Sequence, residues 1–130
     1  MTPTISKITA IRLHEAGKLI QAQQVYQQLL ETMPVDSDLW HRLGILYWQQ
    51  NQFELAKNTL LQALNYQKKS PMLWLHYGVV LGSLNQHQLA QQSFESGLAC
   101  QATATQQIEL YYYHALALHK QHQLSHALNS

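Results

Sequence analysis

The side chains best able to do chemistry in this chain are its eight histidines, since imidazole titrates near neutrality and binds metals. His119, His122 and His126 come closest to a ligand set, at i, i+3 and i+7. A zinc site needs ligands that converge on one point. The sequence predicts a helix-ending turn near Gln121-His122, which separates these three, and no carboxylate or cysteine stands nearby to complete the sphere. Neither a metal nor a cofactor is expected. Cys100 is the only cysteine, which excludes an internal disulfide; it reads as a buried or half-buried spacer late in a helix. The seven acidic residues are scattered and form no acid/base pair. There is no nucleophile elbow, HExxH or phosphate loop, and Gly82-Ser83 falls at a helix end. The chain is expected not to be an enzyme.

Composition narrows the partners. A formal net charge of +1 with 12% charged residues leaves no basic stripe, so nucleic acid is not an expected ligand. No apolar run reaches membrane-spanning length and no signal segment is visible, which excludes a membrane partner and points to the cytoplasm. Glutamine takes the place of charge on the solvated helix faces. Lys68-Lys69 suits the end of a helix, where positive charge meets the dipole.

The elements that position these residues follow from a repeat. Trp40 and Trp74 are 34 residues apart. From Trp40 the chain reads Leu43, Gly44, Tyr47, Ala56, Leu60, Ala63; from Trp74 it reads Tyr77, Gly78, Leu81, Ala90, Phe94, Gly97. Ala22, Ala56 and Ala90 share the same period. Such a period marks paired helices joined by a turn. Asp36 or Ser37 and Ser70-Pro71 open helices, while Gly17, Gln50-Asn51-Gln52 and Asn85-Gln86-His87 are turns. The first repeat lacks the tryptophan. In the last, Tyr111, Ala115, Leu118 and Ala127 take the places of Trp74, Gly78, Leu81 and Ala90, about three residues late, and the sequence stops just inside the expected final helix. Ala56 and Ala90 are expected opposite Gly44 and Gly78, and Ala127 opposite Ala115, so that paired helices approach closely.

This pattern resembles the tetratricopeptide repeat (TPR) family over nearly the whole chain. The resemblance implies an all-α fold, a right-handed α-α superhelix of about 3.5 helix-turn-helix repeats. It gives one TPR domain over residues 1–130, with repeats near 3–36, 37–70, 71–107 and an incomplete 108–130. It also implies that the first helix of each repeat lines a concave face. The partner-binding residues expected there are Ile11 and His14, then His41, Arg42, Ile45 and Trp48, then His76 and Val79, and lastly Tyr112, Tyr113, Leu116 and His119. Ile11, Ile45, Val79 and Leu116 would form an apolar floor, with Arg42, Trp48, Tyr112 and Tyr113 supplying residue types common in binding hot spots. The four histidines would make ligand affinity vary between about pH 5.5 and 7.5.

The implied function is a protein-interaction scaffold or adaptor that binds a peptide or helix of a partner protein. The alternative is the N-terminal substrate-recognition region of a larger bacterial glycosyltransferase or sulfotransferase, which the position of Ser130 would suit. The carboxylate clamp of chaperone-binding TPR domains is absent. Only Lys7 matches it, Ile11 and Arg42 standing in its asparagine places and Met72 and His76 in its third-repeat lysine and arginine places. Exposed Leu116, Leu118, Leu124 and Leu128 at the open fourth repeat point to a homodimer through the C-terminal repeat.

Overall fold

The computed structural model describes residues 6–129, with side chains up to residue 127. The expected start of the first repeat at residue 3, Ser130 and the side chain of Leu128 lie outside the described residues. Seven helices follow in order: α1 (Lys7–Glu15), α2 (Leu19–Thr32), α3 (Ser37–Gln49), α4 (Phe53–Tyr66), α5 (Pro71–Ser83), α6 (His87–Leu98) and α7 (Ala104–Asn129). There is no strand among the described residues. The chain divides into two compact units, Met1–Tyr66 and Gln67–Ser130.

Side-chain caps set the starts of α1, α3 and α5. Ser6, Asp36 and Ser70 each accept a hydrogen bond from the backbone N–H three residues on, and Pro71 sits where a missing N–H costs nothing. Helix ends are set by three equivalent residues 34 apart. Gly17, Asn51 and Asn85 have φ of 78°, 62° and 62°. After each, the next N–H reaches back five residues, from Lys18 to Leu13, Gln52 to Tyr47 and Gln86 to Leu81, each at 2.9 Å. The left-handed residue and its wide closing bond stop the first helix and turn the chain into the second.

The fourth repeat departs from expectation. No turn forms near Gln121-His122; α7 runs unbroken for 26 residues. His122 occupies the register of Gly17, Asn51 and Asn85, and no glycine, proline or asparagine interrupts the chain between Ala104 and Leu128. With no residue that favours the left-handed turn, the backbone bonds continue. Ala127 therefore lies on the same helix as Ala115 rather than opposite it. Cys100 falls just past the end of α6, its thiol directed at the Ser96 carbonyl.

In the first unit α1 pairs with α2 and α3 with α4. Tyr26, Leu39, Leu46, Ala56 and Leu60 are fully buried. Gly44 allows the α3–α4 approach: a β-carbon there would lie 2.6 Å from Leu60 Cδ2. The Ser37 hydroxyl donates to the Ala63 carbonyl at 3.0 Å across the same pair.

In the second unit α6 packs between α5 and α7. Leu81, Phe94 and Leu110 form its centre. Gly78 meets the Phe94 ring as Gly44 meets Leu60, so the small residue abuts the large one four beyond the repeat alanine. A β-carbon on Gly97 would lie 2.7 Å from Leu110 Cδ2 and 3.2 Å from the Pro71 carbonyl oxygen, which explains glycine where the preceding repeat has Ala63. The buried Ser93 hydroxyl donates to the Trp74 carbonyl at 2.6 Å.

The recurring tryptophans have a second task. Trp40 Nε1 donates to the Pro34 carbonyl, and Trp74 Nε1 to the Lys68 carbonyl, each six residues back and each at 2.8 Å. Each indole holds the loop that leads into its own repeat.

Candidate partner-binding surface

The expected binding residues of the first unit lie on α1 and α3, all half-buried. His14 is held by both ring nitrogens. Nδ1 is 3.0 Å from the Tyr26 hydroxyl and Nε2 is 2.6 Å from Gln49 Oε1. The neutral tautomer with its proton on Nε2 satisfies both, donating to Gln49 and accepting from Tyr26. Arg42 Nε donates to Asp38 Oδ2 at 2.9 Å. Asp38 also meets Lys7 at 3.2 Å, and Lys7 reaches Asp36 at 3.0 Å. Burial disfavours charge on Asp38, but Arg42 and Lys7 outweigh it and hold the carboxyl below its usual range. Burial likewise opposes the Lys7 ammonium, and the two aspartates outweigh it and raise its pKa. The sequence gives Asp36 as a helix cap and places Asp38 beside Arg42, but not the ion pairs that join them with Lys7 into one chain of charges. Ile11, His41, Ile45 and Trp48 complete this set.

In the second unit the structure brings three expected residues together. Val79 of α5 and Tyr113 and Leu116 of α7 line one cleft of about 240 Å³. Phe94 of α6 joins them, its ring stacked on Tyr113 with centroids 5.8 Å apart. Tyr112 packs edge-on against Tyr113 at 5.2 Å. His76, Tyr112 and His119 are not among the cleft's lining residues. Burial holds His76 below its ordinary pKa of 6.5, the Met72 backbone carbonyl working the other way.

Gly82, which the sequence places only at a helix end, opens this cleft. It lies 34 residues after Trp48, in the column that also holds His14 and His119. A β-carbon on Gly82 would meet nothing within 4 Å. Where the preceding repeat presents an indole, this one presents a space walled by Val79, Phe94 and Tyr113. Comparing residues down that column is the signal that would have found it. His87 and Lys120 also line the cleft, and no carboxylate does.

The straight α7 changes the histidine argument as well. His119, His122 and His126 share one helix after all, but the outer two are separated by about 10 Å of helical rise. Among the described residues no group of three or more His, Cys, Asp or Glu is placed to hold a metal ion.

The sequence profile of the tetratricopeptide repeat matches residues 13–76. The general transcriptional corepressor ssn6 of Schizosaccharomyces pombe is 29% identical over 94 residues, 71% of this chain. Among solved structures, the TPR domain of P58(IPK) superposes with a TM-score of 0.83 at 18% identity, covering 92% of this chain and 33% of that one. The first TPR domain of Spaghetti (RPAP3), bound to an HSP90 peptide, gives 0.74 at 18% identity, covering 95% and 90%. PcrH in complex with the chaperone-binding region of PopD gives 0.77 at 18% identity, covering 88% and 86%. This chain belongs to the tetratricopeptide-repeat family. It spans only 8% of the length of the yeast corepressor. No helix among the described residues is long and apolar enough to cross a membrane.

Proposed function

We propose that this TPR chain is a non-catalytic protein-interaction module that binds a peptide or helix of a partner protein. The observation that carries the reading is the apolar cleft of the second unit, opened at Gly82 and walled by Val79, Phe94, Tyr113 and Leu116. Family members of the same fold support it: the RPAP3 domain is bound to an HSP90 peptide and PcrH to a region of PopD. The ligand here is set apart from an acidic chaperone tail, because Met72 and His76 stand where a carboxylate clamp needs cations. An apolar side chain on an extended or helical segment fits the cleft.

A net charge of +1 gives no support to nucleic acid as partner. A cytoplasmic site of action is the matching proposal, supported by the single cysteine. A second copy of the chain, met through the C-terminal repeat, is the other partner proposed, supported by the exposure of Leu116, Leu118 and Leu124. Nothing among the relatives favours the alternative of a glycosyltransferase or sulfotransferase segment.

The test is selection of peptides from a displayed random library, followed by titration of the best peptide into wild-type protein and Gly82→Leu. The leucine enters open space and removes a helical glycine, so melting temperature holds or rises, with a gain of up to about 1 kcal/mol. Affinity for the selected peptide should fall at least tenfold. Undiminished binding by Gly82→Leu would place the ligand elsewhere.

A further inference from the structure

We infer that the outward face of α7 is a helix-pairing seam whose occupant is α7 of a second copy, running antiparallel and crossing near Ala115. This deepens the self-association proposed above and is independent of the peptide cleft.

The face is defined by spacing. Ala104, Ile108, Tyr111, Ala115, Leu118 and His122 follow one another at alternating steps of four and three residues. All six are exposed, Ile108 by 70%, Tyr111 by 60% and Leu118 by 43%. The opposite side of the helix is already used, with Leu110 and Ala117 buried in the second unit. A stripe of period 3.5 is the seam one helix presents to another.

The repeat register shows that this face is built to be covered. Leu118 stands where the preceding repeats have Leu81 and Tyr47, which are 2% and 5% exposed. Ala115 stands where they have Gly78 and Gly44, each approached closely by a side chain of the following helix. In those repeats a left-handed asparagine folds that second helix back over the first. In the fourth repeat α7 continues straight, so the cover its register calls for is not supplied by the described residues.

Charge and shape select the occupant. The only Asp, Glu, Lys or Arg on α7 are Glu109 and Lys120, and neither falls on the seam or on its flanking positions. The flanks are Thr105, Tyr112 and His119 on one side and Gln107, His114 and Gln121 on the other. Flanking charges ordinarily choose partner and orientation in helix pairs; α7 itself brings none to the seam or its flanks, and the nearest, Glu95 of α6, is tied to flanking His114 at 3.1 Å. An antiparallel crossing at Ala115 sets small against small at the centre. Tyr111 of each copy then faces Leu118 of the other on both sides, and the helix dipoles oppose favourably. The same residues thus serve both partners, as a two-fold interface requires.

The test is sedimentation velocity of the full chain at high protein concentration, above the pH at which histidine titrates. Wild type should run at twice the monomer mass. Leu118→Glu should run as a monomer with an unchanged helical circular-dichroism spectrum, and Ile20→Glu, at a still more exposed apolar site on α2, should remain dimeric. Ala115→Cys in a Cys100→Ser background should form a disulfide-linked dimer on mild oxidation. A monomeric wild type would overturn both self-association and the seam. A dimer that survives Leu118→Glu, or that Ile20→Glu disrupts equally, would overturn the seam and leave self-association through another surface. Either outcome leaves peptide binding by the Gly82 cleft to stand or fall on its own titration.

Discussion

At the scale of single residues, the tryptophans that announce the repeat act as donors as well as bulk. Trp40 and Trp74 anchor the carbonyls of Pro34 and Lys68. Trp74→Phe should therefore cost about 1 kcal/mol for the lost hydrogen bond beyond its packing loss, read as a lower midpoint in urea; an unchanged midpoint would make the bond dispensable. His76 belongs to this scale too. Its folded-state pKa lies below the ordinary 6.5 because burial penalises the imidazolium. The unfolded chain then takes up the proton first as pH falls. The stabilising contribution is full above about pH 6.5 and is lost as pH drops through the folded value. The melting temperature should decline between about pH 7 and pH 5, and His76→Gln should show a smaller decline over the same range. Equal declines in the two proteins would assign the acid sensitivity to other groups.

At the scale of elements, one left-handed residue per repeat decides whether a hairpin forms. Gly17, Asn51 and Asn85 do so and α7, with His122 in that register, does not. Asn85→Val should destabilise by about 1–2 kcal/mol, because a β-branched residue resists positive φ, whereas Asn85→Gly should be neutral. A thermal melt of both variants separates backbone strain from any side-chain role of the asparagine. The hairpins themselves were legible in the sequence: the 34-residue period, the caps at Asp36 and Ser70 and the turns at Gly17, Asn51 and Asn85 needed only local chemistry. The last helix departs from the period because the apolar pattern continues past the point where the turn residue disappears. The period sets the equivalent alanines against Gly44 and Gly78, while the structure gives that place to Leu60 and Phe94, a distinction of one helical turn that a periodic pattern does not resolve.

At the scale of the molecule, few charges and a mixed polar and apolar surface suit a chain whose work is contact. Of the twelve residues expected to bind a partner, Val79, Tyr113 and Leu116 line one cleft. His14 and Arg42 are already bonded to neighbours within their own unit. The sequence placed these residues on the right helices, but a cleft made by an absent side chain leaves no residue to notice, and Gly82 was legible only by its contrast with Trp48. On the function proposed, this cleft receives the partner. An amide chemical-shift map of the chain titrated with a library-selected peptide locates the contact residue by residue. Shifts should concentrate at Val79, Gly82, Phe94, Tyr113 and Leu116. Shifts confined to other surfaces, with these amides unmoved at saturation, would contradict binding in the cleft.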